Sequence, residues 1–125
     1  MPAKPGLSAS LSFVVTDHDT AESVGSGDVA VLSTPRVLAM VVAATMKALV
    51  GALDPNETTV GVQVQLEHVA ATPVGADVNA EATVEKCAGR KVVFTVKVTD
   101  DRGLVAAGRV TRVVVDREAF LAKLG

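Results

Sequence analysis

The stretch GVQVQLEHVAATPVG, Gly61 to Gly75, decides the fold. Val60, Val62, Val64 and Leu66 share one parity, and Gly61, Gln63, Gln65 and Glu67 share the other. Alternation with period two predicts a half-buried strand. The next residue on the apolar parity is His68. An imidazole closing a row of aliphatic side chains is a candidate functional group, set against the plainer reading of a satisfied histidine at a strand end. Gly61, in the middle of a β pattern, is also the residue that marks a bulge or a strand start.

Three further strand patterns follow. Asp77 to Lys86 places Val78, Ala80, Ala82 and Val84 on one face, and Lys91 to Thr99 does the same with Val92, Phe94, Val96 and Val98. Asp100-Asp101-Arg102-Gly103 is a tight-turn signal, and Leu104 to about Val115 is the last strand. Upstream, Leu7 to Thr16 reads as a first strand and Asp17 to Ala30 as a polar, Gly-rich loop, of a length that often carries function. Ser33-Thr34-Pro35 is a helix start, with a hydroxyl cap and a proline where no N–H is needed. The helix runs to about Leu53, is apolar all round in its early part, and stops before Pro55. An apolar helix that must be buried on most sides, followed by a meander of long strands, predicts an α+β fold. In it a curled antiparallel sheet wraps around one long helix. Residues 1–125 form one domain, with residues 1–6 flexible and a short C-terminal helix over 117–125.

Composition narrows the function. The chain is 49% hydrophobic but only 2% aromatic, so its core is built from Val, Ala and Leu, and support from a second subunit is expected. Net charge is −2, and no basic cluster exceeds Arg90-Lys91, which argues against nucleic acid. The single Cys87 excludes an internal disulfide and offers no metal pair. His18 between Asp17 and Asp19 lacks a supporting second cluster, so no metal is expected. The N-terminus has no apolar signal core, and Val37 to Met46 is too short to span a bilayer. A cytoplasmic protein without membrane attachment is the expectation.

Three segments, VLSTPRVLAMV, TTVGVQVQLEHVAATPVGADV and GLVAAGRVTRVVVDREAF, together resemble the hot-dog-fold thioesterases, in their fluoroacetyl-CoA thioesterase-like branch. The resemblance covers about residues 10–120 and rests chiefly on the G-x6-H-x3-TPxG block. It implies a homodimer, or a tetramer of such dimers, that hydrolyses a small acyl-CoA thioester at a dimer-interface site. It matches Thr34 and His68 to the catalytic pair, Gly61 to a glycine near the substrate carbonyl, and Arg112 to an arginine of the last strand. Met40 and Val42 would line an apolar acyl pocket. Coenzyme A would enter as part of the substrate, with no separate cofactor. The family also carries a glutamate two turns into the helix, and the matching position here is Val42. Between Arg36 and Lys47 the helix has no ionisable side chain.

The residues fit that chemistry in part. Thioester hydrolysis needs a base, a donor for the developing oxyanion and a dry pocket. Imidazole titrates near neutral pH, and a helix N-terminus favours negative charge. Thr34 would place water or act as a nucleophile activated by His68. A third group would have to come from Glu67, Asp28 or Glu22. Two other readings stay open: a non-catalytic hot-dog protein that binds acyl-CoA or another small acyl ligand, and a structural module with its pocket filled. A hot-dog dehydratase would need the same missing carboxylate.

Overall fold

The computed structural model describes residues 3–125. Five strands form one antiparallel sheet: β1 (Ser8–Val14), β2 (Glu57–His68), β3 (Asp77–Ala88), β4 (Lys91–Asp100) and β5 (Gly103–Asp116), in the spatial order β1-β3-β4-β5-β2. The helices are α1 (Ala21–Val24), α2 (Thr34–Ala48) and α3 (Arg117–Ala122). Helix α2 lies across β3 and β1 and touches β2 and β5 least. Its buried stripe, Val37, Met40, Val41, Ala44 and Ala48, meets the small inward residues Ala80 and Ala82, which let the backbones approach. This is the hot-dog α+β architecture: a curled sheet around one helix.

Several details differ from the sequence reading. The alternation of β2 is not continuous. Register with β5 slips between Gly61, opposite Arg112, and Gln63, opposite Thr111, so Val62 is the extra residue of a β-bulge and more than half exposed. The inner row is therefore Thr59 and Gly61 before the bulge and Val64, Leu66 and His68 after it. Helix α2 ends at Ala48 rather than near Leu53, because Gly51 adopts φ 79° and turns the chain before Pro55 is reached. Nor is the helix buried on most sides in the single chain: Leu38 and Met46 are exposed and Val42 is half-buried. The segment read as a loop holds a 3-10 turn over Asp17–Asp19 and the single turn α1. The flexible start expected over residues 1–6 falls partly on Met1 and Pro2, which lie outside the described residues. Ala3 is buried, its carbonyl accepts from Cys87 Sγ, and Gly6 donates to the Val84 carbonyl. No helix among the described residues is long and apolar enough to cross a membrane.

Candidate active site

The end of β2 meets the start of α2. His68 Nδ1 and Thr34 Oγ1 are hydrogen-bonded at 2.7 Å. The other ring nitrogen, Nε2, is buried and has no hydrogen-bonding partner among the described residues. A buried polar atom left bare costs free energy on the order of 1–3 kcal/mol, so native folds rarely tolerate one without a use for it.

The first turn of α2 is arranged around Thr34. Ser33 caps it, its Oγ accepting from the Arg36 N–H at 3.2 Å, while the Ser33 carbonyl accepts from Val37 N–H. Pro35 has no N–H. The Thr34 amide is thus the one first-turn donor not engaged within the described chain, and it sits at the positive end of the helix dipole. A cavity of about 290 Å³ opens here, lined by Thr34, His68, Ser33, Leu32, Ala21 and the Val69–Ala71 strand exit.

Two networks that the sequence reading missed hold this end in place. Asp19 is buried: its Oδ2 accepts from the Thr16 amide and hydroxyl, its Oδ1 from Arg36 Nε at 2.9 Å, and its carbonyl from the Ser33 N–H. Burial works to raise its carboxyl pKa, but the hydrogen bonds from Thr16 and Arg36 outweigh this and hold it below the ordinary value. The signal was present, since Thr16-x-x-Asp19 is a capping-box spacing. On the other side, Asp100 accepts from Arg102 N–H and from the Thr72 hydroxyl, while Arg102 Nη2 donates to the Ala71 carbonyl at 2.7 Å. The Arg102 amide, more than any other group, keeps the Asp100 carboxyl below its usual range. The Thr72 carbonyl then receives the Leu32 N–H, tying the segment after His68 to the segment before α2.

The other sequence candidates lie elsewhere. Gly61 and Arg112 face each other at the opposite end of β2, seven residues from His68, or roughly 23 Å along a strand. Arg112 is only 6% exposed. Its Nε and Nη2 donate to Thr59 Oγ1 and to the Thr59 carbonyl, at 2.8 and 3.1 Å. Burial pushes its guanidinium below its usual pKa. Met40 faces the core, while Val42 lies on the outward stripe of α2 with Leu38 and Met46. Glu67, Glu22 and Asp28 are exposed, and no hydrogen bond joins any of them to His68. A larger groove of about 980 Å³ lies on the outer sheet face and is lined by neither Thr34 nor His68; of its charged residues, Glu81 and Lys97 pair with each other and Arg109 pairs with Glu85.

Known proteins share the sequence pattern and the fold. The model of the family described as fluoroacetyl-CoA-specific thioesterase matches residues 15–118. The chain belongs to that family. A curated relative, the fluoroacetyl-CoA thioesterase of Streptantibioticus cattleyicolor, is 28% identical over 118 residues, spanning 90% of this chain and 85% of its own. The crystal structure of a fluoroacetyl-CoA-specific thioesterase point mutant superposes with a TM-score of 0.88 at 26% identity, over 98% of this chain and 95% of that one. A Thermus thermophilus protein described as a thioesterase superfamily member gives 0.89 at 28% identity, over 99% and 95%.

Proposed function

We propose that the protein hydrolyses a small acyl-CoA thioester, with Thr34 and His68 as the reacting pair at a dimer-interface site. The 2.7 Å contact between Thr34 Oγ1 and His68 Nδ1 at a helix N-terminus is the observation that carries this reading. With the hydroxyl donating to Nδ1, His68 removes the Thr34 proton as Oγ attacks the thioester carbonyl. The oxyanion is received by the free Thr34 amide. Collapse expels the CoA thiolate, which takes the proton from Nδ1, and a water activated by the same nitrogen releases the acyl group from Thr34. Coenzyme A enters as substrate and no cofactor is needed, which suits a cytoplasmic enzyme.

The subunit arrangement belongs to the same proposal. Strand β2 is a sheet edge twelve residues long, and the exposed Leu38, Met46 and Val62 lie near it. A second copy pairing antiparallel along that edge would bring Gly61 and Arg112 of one chain toward Thr34 and His68 of the other. Otherwise those four residues cannot serve one substrate. Sedimentation should give a dimer that Met46→Glu dissociates.

A specific observation favours the runner-up, a protein that binds acyl-CoA without turnover. Among the described residues no carboxylate meets His68 Nε2, and α2 carries Val42 where the family's glutamate would stand. The deciding experiment is free-thiol release from short, medium and aromatic acyl-CoAs by wild type, Thr34→Ala and His68→Ala. Turnover lost in both variants upholds hydrolysis. A raised melting temperature with acyl-CoA but no thiol from any substrate would replace it with the binding reading.

A further inference from the structure

The sheet has two edges of different composition. Strand β2 carries Glu57 and Glu67 near its ends. Strand β1, SASLSFV, is alone among the five described strands in having no charged side chain. The uncharged run extends from Leu7 to Thr16 and contains no proline. An open edge of that composition is a template for another strand, and natural folds block such edges with a charge, a proline or a bulge.

The flanking residues show which backbone groups are on offer. Val84 N–H donates to the Leu7 carbonyl and Val15 N–H to the Ala76 carbonyl. Odd-numbered residues of β1 therefore turn their backbone groups toward β3, and Ser8, Ser10, Ser12 and Val14 turn theirs outward. One outward group has a partner among the described residues: Lys47 Nζ, from the last turn of α2, donates to the Ser10 carbonyl at 2.9 Å. No described carboxylate pairs with Lys47. A lysine pointing into water would serve the helix dipole as well, so the dipole does not account for this direction. Held at the middle of the edge, the ammonium denies the Ser10 carbonyl to an incoming N–H. Any strand laid over it would also have to strip its water.

The strand that fits this edge is β1 itself. Antiparallel pairing of two copies about Leu11 sets Ser10 opposite Ser12 and Ser8 opposite Val14. All four are outward residues, so each opposed pair can exchange two hydrogen bonds. The two Lys47 ammonium groups would then stand two residues apart along the joint, and like charges so placed oppose it.

We propose that Lys47 guards the β1 edge, and that the surface it closes fits β1 of a second copy of this chain. The guard is separate from the Thr34–His68 site and from the β2 edge.

The test is sedimentation velocity over a concentration series. Wild type and Lys47→Arg, which keeps the charge and the donors, should hold one size throughout. Lys47→Gln removes the charge without adding apolar surface, and its mass should double. Growth should continue in steps of two chains where the β2-edge dimer proposed above exists, since that dimer has a β1 at each end. It should stop at two chains where it does not. Ser12→Pro removes an outward N–H without costing a bond to β3, so Lys47→Gln/Ser12→Pro should return to the wild-type size. Hydrogen exchange of the Ser8, Ser12 and Val14 amides should slow in Lys47→Gln and stay fast in wild type. A Lys47→Gln protein of wild-type size at every concentration would overturn the proposal. So would larger species that persist in the double variant, or Lys47→Arg assembling like Lys47→Gln. Should the double variant not fold, the outward amides of Lys47→Gln decide: slowed exchange upholds the joint and unchanged exchange overturns it.

Discussion

The two ends of β2 treat buried polarity in opposite ways. At the His68 end, Asp19 and Asp100 are buried carboxylates in which each oxygen has a donor, and together they pin both segments that frame the Thr34–His68 pair. One atom, His68 Nε2, is left over. At the Gly61 end a buried guanidinium, Arg112, donates to two neutral oxygens of Thr59. Full satisfaction makes a rigid frame; an unmet donor or charge marks where something outside the chain is to bind. On the function proposed above, the chemistry belongs to the His68 end, and the Gly61 end is set apart by its buried cation.

The largest expected effect breaks the chemical end. His68→Ala should lower thiol release by about 10²–10⁴-fold, the range of a lost acid–base group. The melting temperature should move little, because the side chain makes one hydrogen bond and leaves Nε2 bare. Activity measured beside a thermal scan checks both. A drop in melting temperature with activity retained would make His68 a structural strand end.

That contrast was only partly legible in the sequence. The strands and the one long apolar helix followed from patterns of period 2 and 3.6, but the sheet order did not: a meander would set β2 beside β3, whereas β2 pairs with β5 at the far edge. The bulge did not, because Val62 is apolar and continues the alternation even where the backbone slips. Gly61 beside it was the one available hint. The burial of Arg112 was within reach: Val110, Arg112 and Val114 share a parity, and that face is the core. A charged residue on the core parity asks for a partner, and no pattern along one strand can say that the partner is missing. The pairing of Thr34 with His68 lies on 34 residues of separation and came from resemblance, not periodicity.

The Gly61 end breaks with a smaller change. Thr59→Val removes the acceptor for Arg112 Nε and leaves a buried charged donor unmet, which should cost roughly 1–3 kcal/mol of stability. Urea denaturation measures it. An unchanged midpoint would mean that the guanidinium is solvated and the two ends are alike. Val42→Glu sharpens the contrast from the other direction. It adds a carboxylate to α2 one turn before Met46, and turnover should rise by about tenfold, below the range of a fully placed acid–base group. No change in turnover would detach Val42 from the site.

The smallest effect is one of pH, and it separates the two ends without touching the reacting pair. The Asp19 carboxyl is held below its ordinary pKa, so folding releases its proton more readily than the unfolded chain does. A group depressed in this way contributes stability that is fully present above its unfolded value, near pH 4, and is lost as pH falls through its folded value. The frame around Thr34 should therefore loosen under acid, while Arg112 itself is held by Thr59 and not by a carboxylate. The nearest acids at that end, Glu57 and Asp116, are tied to Arg90 and Asn56 at the strand terminus. Hydrogen exchange of the Ser33 amide, which donates to the Asp19 carbonyl, should quicken beyond its intrinsic rate as the pH falls below about 4, with the Thr59 amide lagging. Asp19→Asn should remove that difference, because the amide side chain can no longer titrate. If both ends loosen in step, the carboxylate network is not what holds the catalytic end, and the contrast along β2 loses its physical basis.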